Sequence, residues 1–235
     1  MLSYILDLVG VFAFGSYGAY RALQARMNLF GVVVCAGVVA MGGGTVRELI
    51  LHGTPVYLVD YSYVGVVLLA ATLAVVFFRR FDRLESGLVV LDAVGLGAFA
   101  LFGAMRAADA GFGLGGMLVG GTLTAVGGGV LSDLLVGERP KLFHGDPAIV
   151  PTVLTVVGAW LLGEHRASPV VVVLLVAGAA LIRVISVRQG WRVWTPHGRP
   201  EVRPSPGAAR LSHAIEFPPD DPIWHEKTMR LERRS

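Results

Sequence analysis

The chain has 235 residues, of which 54% are hydrophobic and only 16% are charged. In soluble domains about a quarter of the residues are charged. This composition and the mean hydropathy of +0.65 therefore exclude an ordinary soluble domain and indicate an integral membrane protein. The net charge of +3 comes from basic residues at segment ends and in the tail, which is typical of membrane orientation rather than of nucleic-acid binding. A single cysteine, Cys35, excludes a disulfide framework or a multi-cysteine metal site.

Seven segments are long and apolar enough to span a bilayer, which requires about 20 mostly apolar residues. In chain order the predicted spans are 3–21, 28–51, 58–78, 87–105, 111–136, 148–162 and 169–187. The sixth is the shortest and has Pro151 near its start, and the seventh is rich in valine. After residue 188 a polar, proline-rich segment begins, and its composition predicts a disordered cytoplasmic tail.

Landmark residues recur 85 positions apart, which identifies an internal duplication. The pairs are Asp7 and Asp92, Gly10 and Gly95, Phe14 and Phe99, Gly18 and Gly103, Gly31 and Gly116, and Pro55 and Pro140. Each copy holds three spans, an odd number, so the two copies must lie in the membrane in opposite orientations. We therefore predict an all-α membrane fold with a first three-helix repeat (1–82), a second, inverted repeat (83–167), a seventh transmembrane helix (168–188) and a tail (189–235).

The basic residues between the spans predict the orientation. One side of the membrane carries most of them, namely Arg21, Arg26, Arg79, Arg80, Arg83, Arg139, Lys141, Arg188 and Arg192. By the positive-inside rule that side is cytoplasmic. The protein is therefore expected in the inner membrane with its amino terminus outside the cell and its carboxyl terminus in the cytoplasm. Five of these residues are also expected to contact anionic lipid headgroups: Arg79, Arg80, Arg83, Arg139 and Lys141.

Each repeat carries three consecutive glycines late in its second span, followed four residues later by an acid. The triplets are Gly42, Gly43 and Gly44, and Gly127, Gly128 and Gly129. A glycine costs about 1 kcal/mol relative to alanine in a helix interior, so two such triplets require an explanation. In one interpretation they break the helices, and the freed carbonyls face a cation near the middle of the membrane. In the other, small residues let two helices pack closely.

Polar residues near the triplets are candidate pore-lining or gating residues, because ionisable groups within a span usually mark a pathway or a pairing. They are Asp7, Thr45, Arg47, Glu48, Asp92, Thr124, Ser132 and Asp133. We expect an Asp7–Arg47 pair at the outer side. Ser132 stands where the first copy has Arg47, which makes the inner end more acidic and favours cations. The alternative is that these charges merely extend to the interface.

No nucleophile–base arrangement or nucleotide motif is present, so catalysis and a cofactor are not expected. His144, Asp146 and His165 do not predict a metal site, because His165 lies across the membrane from the other two. Tyr57, Tyr61 and Tyr63 are typical of an aromatic belt at the interface.

The doubled glycine segment, the proline that follows each copy (Pro55 and Pro140) and the 3+3+1 helix count resemble the prokaryotic trimeric intracellular cation (TRIC) channels, a group that overlaps bacterial putative glycine transporters. The resemblance covers residues 3 to 188. It implies a homotrimer in which each protomer has its own pore for K⁺ and other monovalent cations. In that family the pore lies among the first, second, fourth and fifth helices, with kinks at the two glycine triplets and charged groups at the positions of Arg47, Glu48 and Asp133.

Two positions depart from the family pattern. Glu48 replaces the usual aspartate, and Ser132 replaces the arginine of the second motif. The function expected from the sequence is passive permeation of K⁺ or Na⁺ through a pore gated at the glycine-rich second and fifth helices, with membrane lipids as the other contacts. Two alternatives stay open: a secondary transporter of a small zwitterion such as glycine, in which Arg47 holds a carboxylate, and a scaffold whose tail recruits partners.

Overall fold

The computed structural model describes residues 2–51, 53–81 and 85–194. Most of the predicted tail and Arg83 lie outside these residues, and the side chains of Arg79 and Arg80 are not described either. The expected disorder of the tail and the lipid contacts of these three arginines therefore stay predictions.

Seven α-helices form the described part of the chain, one for each predicted span. They are α1 (Leu2–Gln24), α2 (Leu29–Ile50), α3 (Ser62–Phe81), α4 (Glu85–Asp109), α5 (Leu114–Leu135), α6 (Ile149–Leu161) and α7 (Pro169–Arg188). Short 3₁₀ helices at Val56–Leu58, Lys141–His144 and Gly163–Ala167 precede α3, α6 and α7. The sixth helix is the shortest of the seven, with 13 residues, as the sequence predicts.

Local signals explain where several of these helices begin. The Asn28 side chain accepts a hydrogen bond of 2.8 Å from the Gly31 backbone N–H and so caps α2. Pro169 occupies the first turn of α7, where a missing N–H costs nothing. The valine-rich start of α7 is helical because an apolar segment in lipid must bond its backbone groups internally.

Length and hydropathy alone mark four of the described helices as able to cross a membrane: α2, the 87–109 part of α4, α5 and α7. The apolar stretches of α3 and α6 are shorter. α1 carries Asp7 and Arg21, and both of these side chains have partners inside the protein.

The duplication found in the sequence is also visible in the packing. An added Cβ at Gly10 would lie 2.3 Å from the Phe99 ring, and one at Gly95 would lie 2.9 Å from the Phe14 ring. The two phenylalanines stack on each other with their centroids 5.2 Å apart. Each repeat thus supplies one ring and one glycine to the same contact, which is the arrangement expected when two inverted copies face each other.

The helices that carry the glycine triplets, α2 and α5, cross in the same symmetric way. A Cβ at Gly43 would lie 2.6 Å from the Thr124 carbonyl oxygen, and a Cβ at Gly128 would lie 2.6 Å from the Val39 carbonyl oxygen. Val39 and Thr124 are 85 positions apart, so these two contacts are equivalent. Only glycine permits so close an approach of two helix backbones.

Candidate functional site

Among the cavities between the described helices, two small ones have linings that the repeat relates. The first, called here the Asp7 cavity, is lined among others by Asp7, Ala40, Gly44, Glu48 and Tyr63. The second, the Asp92 cavity, is lined by the residues 85 positions later, namely Asp92, Ala125, Gly129, Asp133 and Ala148, together with Arg183 and Asp146. Each cavity therefore brings together the acid of the first helix and the acid that follows the glycine triplet of one repeat.

In the Asp7 cavity the predicted Asp7–Arg47 pair is wrong. Asp7 is buried and accepts a hydrogen bond of 2.6 Å from the Tyr63 hydroxyl. Arg47 turns instead to Glu48, the next residue on its own helix, with its Nη2 2.8 Å from Oε1. Arg47 binds Glu48 rather than Asp7 because Glu48 is the adjacent residue and, at 1% exposure, its buried carboxylate requires a cation.

Glu48 has two arginine partners. Arg106, near the end of α4, places its Nη2 3.3 Å from Glu48 Oε2. Arg47 is further held by Thr124, whose hydroxyl accepts a hydrogen bond of 3.3 Å, and its guanidinium lies 4.8 Å from the centre of the Phe102 ring. These contacts satisfy a charge cluster that would otherwise be prohibitively costly to bury.

In the Asp92 cavity the cation comes from α7, outside the duplication. Arg183 Nε donates to Asp92 Oδ2 at 2.9 Å, and its two terminal nitrogens bind both carboxylate oxygens of Asp146. Arg183 is 7% exposed. It joins α4, α7 and the segment before α6 at one point.

Asp133 finds its partner in the other repeat. Arg21, near the end of α1, donates to Asp133 Oδ1 at 3.1 Å and to Glu138 Oε2 at 2.8 Å. The backbone N–H of Lys141 also donates to Asp133, at 2.9 Å. The hydrogen bond from Arg21 lowers the pKa of Glu138, which lies in the connection after α5, and the charge of Arg21 and that of Lys141 act in the same direction.

The Arg21–Asp133 and Arg106–Glu48 pairs are copies of one another. Arg106 follows Arg21 by 85 positions, and Asp133 follows Glu48 by the same interval. In both pairs the arginine at the end of a repeat's first helix binds the acid on the glycine helix of the other repeat. We call these the crossed pairs. They tie the two inverted copies together at both ends.

The charges of the two cavities are unequal. Around the first, Asp7 and Glu48 are balanced by Arg47 and Arg106. Around the second, the four acids Asp92, Asp133, Glu138 and Asp146 outnumber the three bases Arg21, Lys141 and Arg183. The greater acidity predicted for this end is therefore present, because Ser132 supplies no charge where Arg47 does.

The glycine triplets do not break their helices. α2 and α5 each run through their triplet as one continuous helix, so the expected freed carbonyls and half-helix ends are absent from these two helices. Gly42, Gly43, Gly127 and Gly128 lie at the close crossing, Gly42 against the Leu131 side chain, while Gly44 and Gly129 line the two cavities. Close packing explains four of the six glycines, and the other two border open space.

Three of the candidate pore-lining residues carry hydroxyl groups, and the structure shows the contacts that these groups make. Thr45 donates to the Met41 carbonyl at 2.8 Å and contacts the Tyr57 hydroxyl at 3.1 Å. Thr124 donates to the Gly120 carbonyl at 2.6 Å. The Ser132 hydroxyl is fully buried and has no hydrogen-bond partner among the described residues.

Sequence reasoning missed four residues of the site. Arg21 counts among the basic residues between the spans and Arg106 is not singled out, although the two recur at the offset of 85, a signal that relates them. Arg183 is an ionisable residue within a span, which is itself a signal. Tyr63 was assigned to an aromatic belt, but it is 4% exposed and bonded to Asp7, whereas Tyr61 is 81% exposed.

Of the basic residues expected at headgroups, Lys141 lies 3.4 Å from Glu138 and Arg139 is exposed.

Comparison with known proteins agrees with the duplication. A family model described as "Glycine transporter" matches the chain twice, over residues 4–79 and 89–165. A membrane protein of Deinococcus radiodurans, UPF0126, is 39% identical over 163 residues, or 68% of this chain and 76% of that protein. The UPF0126 inner membrane protein YadS of Escherichia coli K12 is also 39% identical, over 62% of this chain and 72% of its own length.

Solved structures show the same fold. The TRIC trimeric intracellular cation channel orthologue from Rhodobacter sphaeroides superposes with a TM-score of 0.74 at 32% identity, covering 80% of this chain and 98% of that one. A structure described as the basis for conductance through TRIC cation channels superposes with a TM-score of 0.72 at 30% identity, covering 81% and 95%. The fold predicted from the sequence, an inverted 3+3 helix repeat with a seventh helix in a multi-pass membrane protein, is confirmed.

Proposed function

The chain belongs to the glycine transporter family, and from that premise and the two repeat-related cavities we propose that it is a monovalent cation channel. Cations cross each protomer passively between the Asp7 cavity and the Asp92 cavity. The pathway lies among α1, α2, α4 and α5. Residues of α1 and α4 line both cavities, whereas α2 lines the Asp7 cavity and α5 the Asp92 cavity. The likeness to TRIC cation channels at 30% and 32% identity supports this choice over an enzyme or a scaffold.

The observation that carries the proposal is the position of the cavities on either side of the α2–α5 crossing. Gly44 opens into one cavity and Gly129 into the other, while Gly43 and Gly128 close the space between them. A small separation of α2 from α5 joins the two cavities into one polar path. The crossing is therefore the gate, and it opens by sliding two continuous helices rather than by breaking them.

The ion preference follows from the charges. The Asp92 cavity has one acid in excess, which attracts cations and repels anions. The basic residues around its mouth favour a cytoplasmic position for this cavity under the positive-inside rule. K⁺ is the expected physiological ion, because it is the abundant monovalent cation on that side. We extend the homotrimer of the TRIC relative to this chain, with one pore in each protomer.

The second candidate is the transport of a small zwitterion such as glycine, which the description of the family model favours. In that mechanism Arg47 holds the substrate carboxylate. The contacts of Arg47 argue against it, since Glu48, Thr124 and Phe102 already occupy the guanidinium. A carboxylate would have to displace an internal ion pair that is 3% exposed.

Single-channel recording of the purified protein in planar bilayers tests the proposal, with a K⁺ gradient and with glycine present or absent. Discrete current steps that reverse near the K⁺ equilibrium potential are expected, and glycine should not change them. A silent bilayer combined with saturable uptake of glycine into liposomes would replace the channel by the transporter. A scaffold would show neither activity, and its function would be lost on deletion of residues 190–235.

A further inference from the structure

Asp7 differs from the other carboxylates that the described helices bury. Glu48, Asp92 and Asp133 each form an ion pair with an arginine within 4 Å. Among the described residues Asp7 has no such pair, and it accepts a hydrogen bond from the neutral hydroxyl of Tyr63. Arg47 and Arg106 are near enough to attract it electrostatically, but both guanidinium groups are bonded to Glu48.

The inverted repeat shows what is missing at Asp7. Its counterpart Asp92 receives the guanidinium of Arg183, which α7 delivers from outside the duplication. The first repeat has no equivalent of α7, because that helix follows the second copy only. Both carboxylates border a cavity, but among the described residues only Asp92 is bonded there to a cation of the chain itself.

The residues around Asp7 suit a small cation. Its carboxylate is 6% exposed and borders the cavity together with Gly44, Pro55 and Tyr57. The Tyr63 hydroxyl donates its proton to Asp7, which leaves the phenolic oxygen lone pairs available. Gly44 contributes no side chain, so the space beside the carboxylate stays open. Oxygen ligands of this kind are what hard cations prefer.

We propose that Asp7 is a binding site for a permeant monovalent metal cation, which takes the place that the Arg183 guanidinium holds at Asp92. This inference rests on the proposed function and deepens it. The charge of the site explains why the ion can also leave. The charges of Arg47 and Arg106 already balance those of Asp7 and Glu48. An arriving cation is therefore bound by the Asp7 carboxylate in surroundings that carry no net charge. Binding of moderate strength is a requirement for conduction.

The test measures the melting temperature of the detergent-solubilised full chain in KCl and in the same concentration of N-methyl-D-glucamine chloride, whose cation is too large for the cavity. A ligand that binds only the folded protein raises this temperature. The wild type should melt higher in KCl. Asp7→Asn keeps an oxygen for the Tyr63 hydroxyl but removes the charge, so it should lose the K⁺-dependent shift.

Asp109→Asn is the matched control, because Asp109 is exposed at the end of α4 and should keep the full shift. Met41 lines the same cavity, so Met41→Lys offers a tethered ammonium group to Asp7, as Arg183 offers its guanidinium to Asp92. This variant should melt at the same temperature in both salts. It provides the test of the site if Asp7→Asn does not fold. The absence of a shift in the wild type, or an undiminished shift in either cavity variant, would overturn the site.

The outcome separates this inference from the channel itself. An Asp7-dependent shift without single-channel current would retain the ion site and remove the channel. Current steps in the wild type whose conductance is unchanged by Asp7→Asn, with no K⁺-dependent shift, would retain the channel and remove the site.

Discussion

At the scale of single residues, Ser132 shows what happens when one copy of a duplicated motif loses its charge. Arg47, at the equivalent position, is fixed by an acid, a hydroxyl and an aromatic ring. Ser132 occupies a fully buried position and leaves its hydroxyl without a partner among the described residues. A buried polar group in that state costs about 1–3 kcal/mol.

Ser132→Ala is therefore expected to raise the stability of the protein, by about 1 kcal/mol. Thr124→Val provides the contrast, because the Thr124 hydroxyl donates to Gly120 and accepts from Arg47, and its removal should lower stability by a similar amount. Thermal unfolding of both variants in one detergent measures the difference. If Ser132→Ala lowered the melting temperature as much as Thr124→Val, the serine hydroxyl would have to be engaged in the folded protein.

Gly129 permits a direct test of the pathway. An added Cβ there meets nothing within 4 Å, and the residue lines the Asp92 cavity. Gly129→Leu should therefore fold normally, fill the cavity and cut single-channel conductance severely. Gly65→Leu makes the same substitution at an exposed position of α3 with equal room and should conduct as the wild type does. Equal conductance of the two variants would exclude the Asp92 cavity from the ion path.

At the scale of elements, the crossing of α2 and α5 determines which glycines tolerate a side chain. Leucine at Gly43 or Gly128 would disturb the packing and not flux alone, since backbone carbonyl oxygens lie 2.6 Å from the Cβ position at both sites. A side chain there forces the two helices apart.

Gly128→Ala is accordingly expected to destabilise the protein by about 1–3 kcal/mol, the usual cost of overpacking. Gly129→Ala, one residue later on the open side of the helix, should be neutral or stabilise by up to about 1 kcal/mol through helix propensity. Melting temperatures of the two single variants provide the comparison. Equal effects would mean that α2 and α5 do not meet at Gly128.

Much of this element-level picture could be predicted from the sequence. Apolar segments of sufficient length predict seven helices, and the offset of 85 predicts that two sets of three are inverted copies. The contacts of Asp7 and Arg47 could not be predicted, because a charge in a membrane helix binds whichever partner packing brings nearest. Glu48 is adjacent to Arg47 on one helix, and Arg106 reaches Glu48 from α4. The role of the glycines was likewise ambiguous, since both a break and a close crossing favour small residues.

At the scale of the whole molecule, the crossed pairs connect the two repeats and contribute unequally to the stability of the protein. Asp133 is 4% exposed, and Arg21 is its one arginine partner among the described residues. Glu48 keeps Arg47 when Arg106 is removed. Breaking a buried ion pair from one side leaves an uncompensated charge and costs about 3–5 kcal/mol.

Arg21→Gln should consequently destabilise the protein by about 3 kcal/mol, and Arg106→Gln by distinctly less, although the two arginines are equivalent by repeat. Melting temperatures in detergent measure both effects. Adding Asp133→Asn to Arg21→Gln should recover part of the loss, because it removes the unpaired charge. Equal losses for the two single variants would show that Arg47 does not support Glu48.

The crossed pairs also bear on how such a protein could arise. The arginine and the acid of each pair come from equivalent positions of the repeat, so one three-helix unit contains both complementary ends. Two separate copies of an ancestral unit, inserted into the bilayer in opposite orientations, would have formed the same two bridges without any change in sequence. Joining the copies in one gene would have assigned one orientation to each, and only afterwards could positions 47 and 132 come to differ in charge.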